Sequence, residues 1–173
     1  MKNSILTIVA FLVVFHSFSQ TTKLFKNDKI QFEIPINWIE FKLEGQEVVI
    51  KEPAPENYLT VLTTYSVEID TNNLSLSNYS KGYEQRLKNN FIICDIENKK
   101  KFKFNGNEAL DYKWFIMMKI EDKMTYIVIL SKLIKIDNKI YNISVTTTEE
   151  KNNELHSEYI KKFFDSILIF SKK

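Results

Sequence analysis

Glycine, histidine and cysteine are scarce in this chain, and each shortage closes off chemistry. Its 173 residues include 3 glycines, Gly45, Gly82 and Gly106, scattered singly. Phosphate-cradling loops need several glycines close together so that the backbone can wrap an anion. A standard nucleotide-binding loop is therefore excluded. The 2 histidines are His16 and His156, and His16 lies in a segment expected to be removed. Zinc sites draw their ligands mostly from His and Cys, and one remaining imidazole with the 1 cysteine, Cys94, cannot fill one. No metal and no cofactor are expected. A Cys94–His156 nucleophile pair would need the two to meet in space beside a third orienting group, and nothing in the sequence suggests this.

Cys94 has no second cysteine to pair with, so no internal disulfide staples the chain and stability must come from packing. Within Phe91-Ile92-Ile93-Cys94 it reads as a small buried core residue. The alternative is an exposed thiol available to a partner. An excess of one charge is missing too. The formal charge is +2, and loss of Lys2 with the leader brings it near +1. That gives no long-range field toward nucleic acid or an anionic membrane. No nucleic-acid partner is expected.

The first twenty residues carry an export signal. Lys2 gives a positive start, Ile5 to Phe15 run without a charge, and Ser17-Phe18-Ser19 puts small residues where a signal peptidase reads. Cleavage is expected just before Gln20. The apolar run is roughly 11 to 12 residues, against the about 20 that span hydrocarbon as a helix, so a retained anchor is the lesser reading. No cysteine follows the run, which argues against lipidation. The organisation predicted is residues 1–19 signal peptide, 20–28 lead-in and 29–171 a single domain, periplasmic or secreted and not membrane-embedded once the signal is gone. About 150 residues with 44% hydrophobic and 13% aromatic content suffice for one well-filled core.

Apolar periodicity organises that domain. Lys29 to Ile34 alternates and is ended by Pro35; Glu47 to Lys51 makes a short second strand before Pro53 and Pro55. From Tyr58 to Ile69, residues Leu59, Val61, Thr63, Tyr65, Val67 and Ile69 share one face. Asp70 to Asn73 turns the chain. Ser75 or Ser77 then caps a helix whose stripe is Leu76, Tyr79, Tyr83 and Leu87, ending near Asn89-Asn90 with Gly82 inside it. A β-meander follows. Phe91 to Phe104 is broken near Asn98, and Asn105-Gly106 makes a hairpin turn. Glu108 to Ile120 has Tyr112, Trp114, Ile116, Met118 and Ile120 on one face, and Met124 to Ile136 is apolar on both faces, the mark of a covered central strand. Lys139 to Thr147 turns Tyr141, Ile143 and Val145 inward. A last helix, about Glu149 to Leu168, starts with acids suited to a helix N-terminus and carries Leu155, Tyr159, Phe163 and Ile167 on its apolar face. Ile169-Phe170 forms a short tail. The fold class predicted is α+β: one antiparallel β-sheet meander with two helices packed on it, in the order β-β-β-α-β-β-β-β-α.

This order resembles the PsbP-like superfamily. The likeness rests on Phe32-Glu33-Ile34-Pro35-x-x-Trp38, the hairpin at Asn105-Gly106-Asn107-Glu108-Ala109, the tyrosine-bearing strands, and the closing run Phe163-Phe164-x-x-Ile167-Leu168-x-Phe170-Ser171. That superfamily holds extrinsic photosystem subunits, a Ran-binding nuclear protein, bacterial envelope proteins and chaperones for secreted toxins. The resemblance implies an accessory or binding role rather than an enzyme. Its motifs are packing motifs, so it assigns no site residue here.

The remaining polar clusters read blandly. Asp70 and Asn72 begin like a calcium loop, but Leu74 and Ser75 stand where an oxygen ligand and a glycine are needed. Glu44 with Glu47, and Asp95 with Glu97, read as solvated pairs rather than an acid–base couple. Lys99-Lys100-Lys101-Phe102-Lys103 reads either as an anion-binding patch or as a solvated hairpin end whose lysines discourage edge pairing. The sequons at Asn73, Asn78 and Asn142 are expected to carry no glycans, given a bacterial-looking composition rich in lysine and asparagine. Trp38 either plugs the sheet or lines a groove. No catalytic residue is assigned. The expectation is a non-enzymatic exported accessory protein of the envelope with a protein partner, bound through a sheet face or an edge strand. The alternative is a carrier of a small apolar ligand or lipid, motivated by Met117, Met118 and Met124, whose side chains adapt to varied shapes.

Overall fold

Asn105 and Gly106 sit at positive φ, 49° and 84°, and this left-handed pair folds the chain tightly back on itself. Asp137, at φ 53°, turns the next-but-one hairpin. Three hairpins in succession thereby join β6 (Ile93–Phe104), β7 (Asn107–Ile120), β8 (Lys123–Ile136) and β9 (Lys139–Thr148). The computed structural model describes residues 22–27, 30–42, 44, 46–53, 62–69, 75–120, 122–148 and 154–170, with backbone alone at 41, 62–69, 118, 120, 148 and 154–157. The segment expected to be a signal, Leu59, Val61, the turn at Asp70 to Asn73, Gly45, and Glu149 with Glu150 lie outside the described residues.

The other elements are β1 (Thr22–Lys26), β2 (Ile30–Pro35), β3 (Ile39–Phe41), β4 (Val48–Lys51), β5 (Leu62–Ile69), α1 (Leu76–Asn90), α2 (Glu154–Ser166) and β10 (Leu168–Ile169). The α+β class stands, but the strands form two sheets rather than one. A seven-stranded antiparallel sheet runs β3-β4-β5-β9-β8-β7-β6, and a three-stranded sheet runs β1-β2-β10. The lead-in is thus a strand: Thr22 to Lys26 pairs with β2 from Lys26↔Gln31 to Thr22↔Pro35. Its side chains are mostly exposed, so no apolar alternation marks it. The tail is a strand as well, since the last helix stops at Ser166 and Leu168–Ile169 pairs with Gln31–Ile30.

The large sheet is covered on both faces by separate cores. One face meets α2 and the small sheet, with Ile30, Phe32, Trp38, Ile50, Ile134, Tyr141, Ile143, Val145, Phe163 and Ile167 packed together. Phe32 meets Phe163 edge-on at 5.2 Å. The stripe residues Thr63, Tyr65 and Val67 hold register positions opposite Val145, Ile143 and Tyr141. The opposite face meets α1, with Leu76, Tyr83, Leu110, Tyr112, Trp114, Ile116, Leu133 and Ile140. This is why β8 is apolar on both sides. Ser75 caps α1, its hydroxyl accepting from the Asn78 N–H at 3.2 Å, which satisfies one of the orphan donors of a helix start. Ser166 Oγ accepts from the Glu33 N–H at 2.9 Å and donates to the Phe163 carbonyl at 2.8 Å, fastening the end of α2 to β2.

Candidate interaction site

Strand alternation puts Asn98 and Lys100 of β6, Asp111, Lys113, Phe115 and Met117 of β7, and Tyr126, Val128, Leu130 and Lys132 of β8 on the α2 side of the large sheet. An open groove of about 240 Å³ lies on this face beside α2. Its walls include Asn98, Asp111, Lys113, Leu130, Lys132, Ile160 and Phe164. Lys132 donates to Asp111 at 2.7 Å, its directly paired neighbour across the ladder. Its ammonium also lies 4.5 Å from the Phe102 ring centroid and 5.1 Å from that of Phe164. That side chain is only 17% exposed. Lys113 pairs with Glu97 at 2.7 Å and lies over Phe115.

Apolar surface continues the groove toward the β7–β8 turn. Ile93, Met117 and Tyr126 are consecutive cross-strand partners. Ile93 is 43% and Tyr126 53% exposed. Met124 and Ile92 are also exposed. Scattered surface hydrophobes need no explanation; Ile93, Met117 and Tyr126 instead lie in one row across three strands.

On the α1 side, Glu84 accepts from the Tyr112 hydroxyl at 2.7 Å and from Lys99 at 2.5 Å, with the Lys99 ammonium 5.4 Å from the Tyr112 ring centroid. Burial pushes the Glu84 carboxyl up, but the hydrogen bonds from Lys99 and Tyr112 outweigh it and hold the carboxyl below its ordinary value. Burial likewise opposes the charged form of Lys99, and the bond to Glu84 overcomes it, so Lys99 holds its proton above its usual range. Burial raises Tyr112. Every charged group in this cluster is paired, which makes it a clamp between α1 and the β6–β7 hairpin. Beneath the helix, Tyr83 and Ser131 hydroxyls lie 3.4 Å apart.

Cys94 is 8% exposed, inside the α1-side core. His156 belongs to α2, on the other side of the sheet, and its side chain lies outside the described residues. The sheet separates the thiol from the helix that carries the imidazole. Glu44 and Glu47 are exposed; of Asp95 and Glu97, the second is taken by Lys113. Trp38 is buried and tilts against Tyr159 at 4.5 Å, so it plugs the space between the β2–β3 turn and α2. The lysine run lies on β6, the terminal strand of the large sheet. Asn142 points to the α1 side with its side-chain carbonyl oxygen buried, and Ser144 of the same sequon is buried too. Met117 is half-buried, Met124 is exposed, and the Met118 side chain is outside the described residues. Among the described residues no group of three or more His, Cys, Asp or Glu is placed to hold a metal ion. No described helix is long and apolar enough to cross a membrane.

Asp111, Lys113 and Lys132 were not singled out in the sequence. The signal available was Lys132, a cation between Leu130 and Leu133 in a strand largely apolar on both faces.

No protein-family model and no curated protein matches this chain in sequence. Solved structures match it in shape. The chain is similar to cyanobacterial PsbP from Synechocystis, with a TM-score of 0.67 and 11% identity over 89% of this chain and 95% of that one. The Saccharomyces cerevisiae Ran-binding protein Mog1p gives 0.60 and 11% over 87% and 96%. LpqN of Mycobacterium tuberculosis, described as involved in cell envelope biogenesis, gives 0.60 and 10% over 90% and 88%. At these identities the likeness is one of fold, and the chain has the PsbP-like fold.

Proposed function

We propose that this PsbP-like domain is a non-enzymatic accessory protein of the cell envelope that holds a protein partner on the α2 side of its large sheet. The observation that carries the reading is the open cross-strand row Ile93, Met117 and Tyr126 continuing from a groove whose charges are already paired. A surface with an apolar centre and compensated charges favours a protein over a polyanion. The N-terminal segment that reads as an export signal and the envelope role printed for LpqN support the location. Mog1p, named for binding Ran, is a precedent for partner binding on this fold. Fold analogy alone is a weak warrant, so the open face carries the reading.

A small-ligand carrier has less behind it. Two hollows among the described residues, of about 170 and 240 Å³, fall short of the roughly 300–1,000 Å³ of typical ligand pockets. The test is a photo-crosslinking amino acid placed at position 126 and, as a control, at position 138 on the β8–β9 turn, in protein exported by its host. A discrete protein adduct from position 126 alone is expected. An equal pattern from both positions, or turnover of a substrate by the purified protein, overturns the reading. A small molecule retained in native mass spectrometry would transfer the role to the carrier.

A further inference from the structure

β6 ends the seven-stranded sheet, and its outer edge pairs with no strand among the described residues. At the opposite end the terminal strand, β3, has 3 residues, whereas β6 has 12. A register shift between Ile96 and Asn98 interrupts the strand, so its regular edge runs from Asn98 to Phe104. Along it Lys100, Lys101 and Lys103 are exposed and join no ion pair among the described residues, while Lys99 is held by Glu84 and Glu97 by Lys113. Register places Lys101 and Lys103 on the α1 side with Lys99, and Lys100 on the α2 side. Cations therefore flank the edge on both faces of the sheet. Lys101 and Lys103 also border the start of α1, around a hollow shared with Ser75 and Ser77. The first turn of α1 holds no acidic residue, which leaves its partial positive charge beside the lysines; Glu108, paired in register with Lys103, is the one acid among the residues lining this hollow.

We propose that the Asn98–Phe104 edge accepts an acidic segment of a partner protein in extended conformation, added to the sheet as an eighth strand; this rests on the accessory reading above. The edge offers alternating N–H and C=O groups at strand spacing, which a second strand satisfies completely. A phosphate chain has acceptors only and leaves the carbonyls facing an anion. Two copies of β6 would bring their lysine runs together. Glutamate or aspartate on the added strand meets Lys101 and Lys103 on one face and Lys100 on the other. The same lysines repel a basic strand and would lose hydration without compensation against a neutral one, so protection of the edge and choice of partner are one device.

The probe is a fluorescein-labelled ten-residue peptide alternating glutamate with valine and threonine, with a glutamine-for-glutamate version as control. Fluorescence polarisation should show the glutamate peptide binding at least about tenfold tighter at low salt, with the advantage shrinking as salt rises. Hydrogen exchange should show alternate amides between Asn98 and Phe104 gaining protection in the complex. The K100E/K101E/K103E variant, checked for a native near-ultraviolet dichroism spectrum, should lose binding. Binding without β6 protection means surface charge alone and overturns the inference, as does no binding at all. A dimer of the unmodified protein that protects β6 and dissociates in the variant makes a second copy the occupant and also overturns it. If the edge fails while the position-126 adduct survives, the accessory role stands without this inference.

Discussion

Asp111 and Lys132 are directly paired residues of β7 and β8, and their side chains close a 2.7 Å ion pair on the groove wall. Lys132 is mostly withdrawn from water between two phenyl rings. Removing one partner leaves a half-buried charge without compensation, which costs more than the intact pair contributes. Asp111→Ala is expected to destabilise the protein by about 1–3 kcal/mol. Asp111→Ala with Lys132→Met should recover much of that loss, read by urea denaturation of the two single variants and the double.

Stability should fall in acid partly through Glu84. Its carboxyl titrates below the ordinary value in the fold because hydrogen bonds from Lys99 and Tyr112 outweigh the opposing effect of burial. A carboxyl lowered in this way contributes stability that is full above its unfolded value, about 4.3. The contribution is lost as pH falls through the lower folded value. Glu84→Gln should therefore be less stable than the native protein near neutrality and lose less on acidification. Denaturant midpoints measured from about pH 6 to about pH 3 should converge for the two proteins; parallel curves would remove Glu84 from the account.

Gly82 lies mid-helix in α1, exposed, and a methyl added there meets nothing within 4 Å. Gly82→Ala should raise stability by about 0.5–1 kcal/mol through a less flexible unfolded chain. Thermal melting with unchanged far-ultraviolet dichroism is the check.

Trp38 against Tyr159 joins the turn after β2 to α2. Trp38→Ala should cost about 3–5 kcal/mol, and Trp38→Phe much less because a ring still fills the site. Equal losses from both would mean that packing is not the cause.

Burial raises the Cys94 thiol pKa. Because the thiolate is the reacting species, native protein should be alkylated at neutral pH about a hundredfold more slowly than protein in urea. Labelling rates then report unfolding. Fast labelling of the native protein would mean that the core around Ile116 opens locally.

The meander was legible because three signals agree on it. Asn105-Gly106 marks a turn that tolerates positive φ, Tyr112, Trp114 and Ile116 repeat with period two, and β8 is apolar on both faces. Short strands carry no such agreement. Thr22 to Lys26, Ile39 to Phe41 and Leu168–Ile169 are formed by the partner they pair with, not by their own pattern. The buried Ile30, Phe32 and Ile34 would look the same in either sheet, so the second sheet could not be read from them. The groove was missed for a related reason. Asp111 and Lys132 are 21 positions apart, and only the register of β7 against β8 makes them neighbours. The lysine run was visible as a charge cluster, but its place on a terminal strand depends on the strand order.

The small sheet, in the order β1-β2-β10, is complete only once Leu168–Ile169 has been made. Ile30 and Phe32, both fully shielded, rest against residues of α2 and beside Leu168–Ile169. On a growing chain Phe32 can stack on Phe25 early, but Phe163 and β10 reach it only after most of the chain has been made. Closing this core is therefore a late step, whereas the β6–β9 hairpins and the α1-side core need neither α2 nor β10.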